Sequence, residues 1–173
     1  MIRSWRGKRP KIHPTAFISE FAYVVGDVEI GENSSVWPGT VIRGDTGKIV
    51  IGRNTNIQDS SVVHTDVEAW IGDNVTLGHG VICHAHRIGN NCLIGNNATL
   101  NDPAEIGDNC IVAANAVVLE GSKIPPNSFV AGIPAQVRGQ IDERRMQLIT
   151  QPAEHYVEKA RLYREEGLGD RVE

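Results

Sequence analysis

Three of the six histidines stand where metal chemistry is possible. His79 and His84 lie five residues apart in Leu77-Gly-His-Gly-Val-Ile-Cys-His84, and His64 lies fifteen residues before His79. Neutral imidazole is a common ligand for zinc and other first-row divalent ions. Taken alone, these spacings are weak support for a metal site. They become informative through the repeat that carries them.

Branched apolar residues recur every six positions at Ile12, Ile18, Val24, Ile30, Val36 and Ile42. After three extra residues they resume at Ile51, Ile57 and Val63, and after two more at Ile71, Leu77 and Cys83. One residue is then dropped, and the frame runs through Ile88, Ile94, Leu100, Ile106, Val112, Val118, Ile124 and Val130, giving twenty hexads. A small or β-branched residue comes four places later, among them Ser34, Thr40, Thr55, Ser61, Val67, Val75, Val81, Cys92, Ala98 and Cys110. Asn comes three places later in eight hexads, from Asn33 to Asn127, and Gly39, Gly80 and Gly121 fill the same slot. Asn and Gly tolerate positive φ, so this column reads as a backbone corner. A short strand and a corner every six residues predict a parallel β-helix of triangular coils, with three hexads per turn and between six and seven turns. A β-sandwich would not hold a six-residue frame for so long.

That frame places the histidines. His64 and His84 are the second residues of hexads nine and twelve, one turn apart, so they stack on one flat face. Arg43 lies one turn below His64 and Asn101 one turn above His84. His79 belongs to the preceding face, with Asp59 one turn below it and Gln58 beside Asp59. Faces of a triangular prism diverge by about 120°, so His79 should not meet the other two within one chain. In a threefold ring, one subunit's face meets its neighbour's other face. His79 of one copy then joins His64 and His84 of the next, giving a homotrimer with three imidazoles around Zn²⁺ and one position open, as in catalytic sites. His86 falls in the Asn/Gly corner slot and reads as a turn residue. His13 and His155 read as ordinary exposed residues.

The rest of the chain is consistent with this frame. A length of 173 residues fits one domain, and the net charge of −4 argues against nucleic acid or an anionic membrane as partner. No apolar run is long enough to span a bilayer. The basic start, Met1 to Pro10, is followed by no apolar stretch, so no secretory signal is expected and a cytoplasmic location is. Cys83, Cys92 and Cys110 read as buried free thiols. Residues 1–11 would lead into the coil, 12–135 would form it with Gly132-Ile-Pro-Ala135 as the exit turn, and 136–173 would be a helical tail packed back on it. Met146, Ile149, Ala153, Tyr156, Ala160 and Tyr163 make one helical stripe from Asp142 onward. Pro152 is expected to start a second helix, with Gly167 near its end.

Arg43-Gly44-Asp45, Asn56-Ile57-Gln58-Asp59, His64 and Gly78-His-Gly-Val-Ile-Cys-His84 together resemble the γ-class carbonic anhydrase family of hexapeptide-repeat proteins. The likeness runs through Ile124-Pro-Pro126 and Gly132-Ile-Pro-Ala135. It implies a left-handed coil, and a homotrimer with metal sites at its interfaces. The ligands would be His64, His79 and His84, holding Zn²⁺, Fe²⁺ or Co²⁺. The implied reaction is reversible hydration of CO₂ to bicarbonate by a metal-bound hydroxide. Arg43 with Asp45 or Asp59 would form interface ion pairs, and Gln58 would orient water or substrate. The family prototype has glutamate where this chain has Thr46, and an acidic loop where it has only two added residues. Asp66, Glu68 and His86 are therefore the candidates for moving protons. Two other readings remain: a CoA-dependent hexapeptide acyl- or acetyltransferase, and a catalytically silent trimer locked by metal.

Overall fold

Of the twenty apolar column residues, all but Ile12 and Ile124 are buried, stacked in register along the axis of a triangular coil whose interior they fill. The fold, in the computed structural model, is a left-handed parallel β-helix of hexapeptide repeats with about seven turns and one C-terminal helix. The structure describes residues 1–170. Parallel strands register column on column, for example Ile57↔Leu77↔Ile94 and Ile42↔Val63↔Cys83.

Three faces follow from this pairing. The first carries Ile2–Arg3, the start of Tyr23–Ile30, the start of Val41–Ile51, Val62–His64, Ile82–Cys83, Thr99–Leu100 and Val117–Val118. The second carries Lys11–Ile12, the ends of the same two long strands, Glu68–Ile71, Arg87–Ile88, Glu105–Ile106 and Lys123–Ile124. The third carries Phe17–Ile18, Ser35–Val36, Asn56–Ile57, Thr76–Leu77, Leu93–Ile94, Ile111–Val112 and Ser128–Ala131. The three residues added after Ile42 do not form a loop. Val41–Ile51 runs round the corner as one strand beside Tyr23–Ile30.

All eight corner asparagines have positive φ, as do Gly39, Gly80 and Gly121. Six of them, Asn33, Asn54, Asn74, Asn91, Asn109 and Asn127, stack along one edge. Each amide donates to the next carbonyl oxygen at 3.0–3.3 Å. Ser60 takes the same conformation (φ 60°) in the same slot, a corner its residue type did not reveal. His86 does not. The coil is one residue short there, Ala85 turns inward, and the His86 ring is held by the Glu68 carbonyl at 2.8 Å. Val67 is also displaced from its expected inward slot. It is 63% exposed, and Ala69 is buried in its place. The two extra residues therefore bulge outward just after His64.

After Ala131 the chain turns and Gln136–Gln140 adds an antiparallel strand beside Ser128–Ala131, which covers the last coil's open edge. Asp142 caps a single helix, Glu143–Glu165, by accepting from the Arg145 N–H at 2.8 Å. Pro152 lies inside this helix and starts no second one. The carbonyl it leaves without a helical partner four residues back is that of Leu148, an exposed residue. Ile149, Ala153 and Ala160 face the third face. Tyr156 and Tyr163 close on Phe17 and Trp37, with Trp37 and Tyr163 centroids 5.0 Å apart. No helix among the described residues is long and apolar enough to cross a membrane. The three cysteines are free and buried, and burial pushes the Cys83 thiol up to about 11.

Candidate metal centre

The pairing Arg43↔His64, with Cys83 stacked on Val63, puts Arg43, His64 and His84 in one outward column of the first face. The imidazoles of His64 and His84 meet there, with ring centroids 5.0 Å apart and His64 Nδ1 2.9 Å from His84 Nε2. His64 Nε2 lies 3.1 Å from Asp45 Oδ1, and Arg43 holds the other Asp45 oxygen at 2.7 Å. An ionised carboxylate only accepts, so His64 Nε2 carries the proton and Nδ1 of the neutral ring offers its lone pair. Burial alone would raise the Asp45 carboxyl. The Arg43 guanidinium, a backbone N–H and His64 outweigh it and hold the group below its ordinary value. Arg43 and Asp45 thus pair with each other inside one chain.

Gly44 makes this possible. A Cβ there would stand 2.5 Å from the Asp27 carbonyl of the coil below, so only glycine lets Arg43 and Asp45 flank so close a crossing.

His79 stands apart, at the corner between the third and first faces. Asp59 Oδ2 lies 3.0 Å from its Nδ1, leaving Nε2 directed away from that pair, and the His79 side chain is half exposed. Gly80 (φ 69°) makes the turn after it, donating to the Asp59 carbonyl at 2.9 Å. Gln58 is buried on the same side, its amide donating to Asn56 at 3.0 Å. One chain therefore holds the candidate residues in two separate groups: Arg43, Asp45, His64 and His84 in one, and Gln58, Asp59 and His79 in the other. The His86 ring is engaged with the Glu68 backbone.

The bulge after His64 places a further ligand type beside the pair. Asp66 joins His64 and His84 in a group whose potential ligand atoms all lie within 4.8 Å of one another. The resemblance names Asp66 only as a candidate for moving protons, and the frame does not reveal which of the added residues leave the wall.

Two ligand atoms at 2.0–2.1 Å from a tetrahedral ion are about 3.3 Å apart. The His64–His84 nitrogens, at 2.9 Å, need to separate by about 0.4 Å, well within a small ring rotation. Hydrogen bonds from ligand rings to carboxylates, as His64 makes to Asp45, are the usual support of such sites. The donor set fits a borderline divalent ion.

The chain matches the bacterial transferase hexapeptide (six repeats) family over residues 9–44 and 85–120. It is 45% identical to a carbonic anhydrase of Geobacillus kaustophilus over 166 residues, covering 95% of this chain and 91% of the relative. It is 34% identical to a mitochondrial γ carbonic anhydrase of Arabidopsis thaliana, covering 92% of this chain and 60% of that longer protein. Among solved structures, a Bacillus cereus protein described as a putative acetyltransferase superposes with a TM-score of 0.92 at 38% identity, covering 95% of this chain and 97% of that one. On its sequence relatives and its repeat, this chain belongs to the γ-class carbonic anhydrase family of hexapeptide-repeat proteins.

Proposed function

We propose that this protein is a metal-dependent carbonic anhydrase, hydrating CO₂ reversibly at sites shared between the subunits of a homotrimer. One observation carries the reading: His64 and His84 form a carboxylate-supported pair on an uncovered face, while the third histidine is presented from a different corner of the same chain. His64 and His84 of one subunit and the partner subunit's His79 would hold Zn²⁺, or Fe²⁺ or Co²⁺ in its place. When bound, such an ion acts as a Lewis acid that makes water nucleophilic at neutral pH. Asp45 keeps the proton on His64 Nε2 and so leaves Nδ1 as the ligand atom. Asp59, 3.0 Å from His79 Nδ1, would leave Nε2 as the ligand atom for the neighbour. Gln58, on the His79 side, supplies an amide to orient the attacking water. Ile82, outward on the first face two residues before His84 and 43% exposed, gives apolar CO₂ a wall to rest on.

The test is metal content beside CO₂ hydration, with Zn²⁺ and with anaerobic Fe²⁺, on wild type and His79→Ala. About one ion per subunit, with hydration lost in the variant, is the expected result. A metal-replete trimer that hydrates no CO₂ above buffer overturns the proposal.

The superposition on the Bacillus cereus protein favours a second reading, acyl transfer from CoA with one interface histidine as base. Transfer activity that survives removal of metal would establish it instead. A trimer that falls to monomers without metal, and shows neither activity, would leave the metal a purely structural role.

A further inference from the structure

Within one chain, three residues already offer a ligand set without any neighbour. We propose that His64, His84 and Asp66 form a capture site that takes up a divalent transition-metal ion in the free protomer. Asp66 then yields its place to the partner subunit's His79 on assembly. The proposal rests on the assignment of His64 and His84 as ligands and goes beyond it in giving Asp66 a role and the metal an order of arrival.

Three observations carry it. The potential ligand atoms of the three side chains lie within 4.8 Å of one another, so modest rotations bring them to the about 3.3 Å separation of donors around a tetrahedral ion. Two imidazoles and one carboxylate are a known ligand set for Zn²⁺ and Fe²⁺. The placement is local and built: the two residues added after Val63 push Asp66 and Val67 out of the wall, while Thr65 between them and His64 stays fully buried and anchors the turn.

The other nearby carboxylate is already engaged. Asp45 is held by Arg43 at 2.7 Å and by His64 Nε2 at 3.1 Å, so it supports a ligand and is not free to be one. Asp66 makes no ion pair and no side-chain hydrogen bond with any described residue. It can therefore swing toward the ion and away again without breaking an ion pair or a side-chain hydrogen bond. Such a hand-over also gives assembly a direction, because a protomer loaded with metal presents an incomplete coordination sphere on the face that its neighbour's His79 must meet.

The experiment titrates metal-free protein with Co²⁺, reading the visible absorption bands and the bound stoichiometry by equilibrium dialysis. Four full-length proteins are compared: wild type, His79→Ala, His79→Ala with Asp66→Asn, and His64→Ala. His79→Ala is expected to bind about one Co²⁺ per chain with a spectrum shifted from wild type. Adding Asp66→Asn, in an exposed turn where folding is checked by circular dichroism, should weaken that binding at least about tenfold. Equal binding by His79→Ala with and without Asp66→Asn overturns the capture site while leaving the interface reading intact. Wild type that binds no Co²⁺, or binds it undiminished in His64→Ala, overturns the interface reading and the capture site with it.

Discussion

On the third face, the outward side chains of Phe17, Ser35, Asn56 and Thr76 lie buried beneath the C-terminal helix, with Trp37 wedged against Tyr156 and Tyr163. On the first face, Tyr23 and Ile82 remain in solvent beside His64 and His84. The two faces share one backbone repeat and one strand spacing, and each turns its own column of apolar residues inward. Only what covers them differs. The chain closes the third face with its own tail and leaves the first open, and the open one holds the paired imidazoles. Under the proposed function this open face is the one another copy of the chain would cover, because contiguous exposed apolar surface otherwise invites nonspecific association.

The largest effect expected from disturbing this contrast is on the covered face. Trp37→Ala removes the ring on which Phe17, Tyr156 and Tyr163 converge. Deleting a buried aromatic of this size costs about 3–5 kcal/mol, read as a lower urea midpoint. A loss below about 1 kcal/mol would mean the helix is only loosely seated, and the two faces would then differ less than their burial suggests.

Ile82→Lys tests the open face. The side chain is exposed in the protomer, so the stability of the isolated chain should change by no more than about 0.5 kcal/mol. Assembly should suffer strongly, because a buried unpaired charge is costly at an interface. Sedimentation should shift from trimer toward monomer, and hydration should fall with it. A trimer that persists unchanged would show that this face is not the one joined.

Much of this contrast is written in the sequence, and the reasons are physical. The inner column is legible because a six-residue coil forces one branched residue inward per strand, as at Ile57, Leu77 and Ile94. The corners are legible because Asn is one of the few residues at ease at positive φ. The stacking of His64 on His84 then follows by counting. Irregularities are less legible. The count gives two added residues between Val63 and Ile71 but not which of them leave the wall, so Val67 is misplaced and Asp66 appears only as a candidate for moving protons. The dropped residue before Ile88 is equally silent about its corner, where Ala85 turns inward and His86 does not adopt positive φ. Pro152 predicts a break from local sterics, yet packing of Ile149 and Ala153 on both sides of it holds one helix. The strand Gln136–Gln140 has no alternation to announce it, since its register comes from the edge it covers.

A smaller effect separates ligand from support. Asp45→Asn keeps the shape of the side chain but no longer offers His64 Nε2 an anion. Metal affinity should fall about 10–100-fold, the usual penalty for losing such a partner, with the urea midpoint nearly unchanged. Co²⁺ competition against a chelator measures it. An unchanged affinity would mean that the stacked rings need no carboxylate to fix their tautomer, and the open face would be simpler than its hydrogen bonds imply.

The smallest effect lies on the second face, which is neither covered by the helix nor part of the site, and carries ion pairs instead. Glu29 sits between Lys48 at 3.0 Å and Lys11 at 3.3 Å. The hydrogen bond from Lys48 chiefly lowers its carboxyl below the ordinary value, burial opposes this, and Lys11 adds to it. A group with a depressed folded value stabilises the fold at pH above its unfolded value, about 4.3 for glutamate, and that contribution is lost as pH falls through the lower folded value. Glu29→Gln should therefore reduce stability at pH 7 by no more than about 1 kcal/mol, as for other exposed pairs. The gap to wild type should narrow as pH drops below about 4, and added salt should shrink it at neutral pH. Urea midpoints for both proteins across that range decide it. A gap that widens in acid would require Glu29 to be stabilised as the neutral acid, and the second face would then owe its stability to packing, like the third, and not to charge.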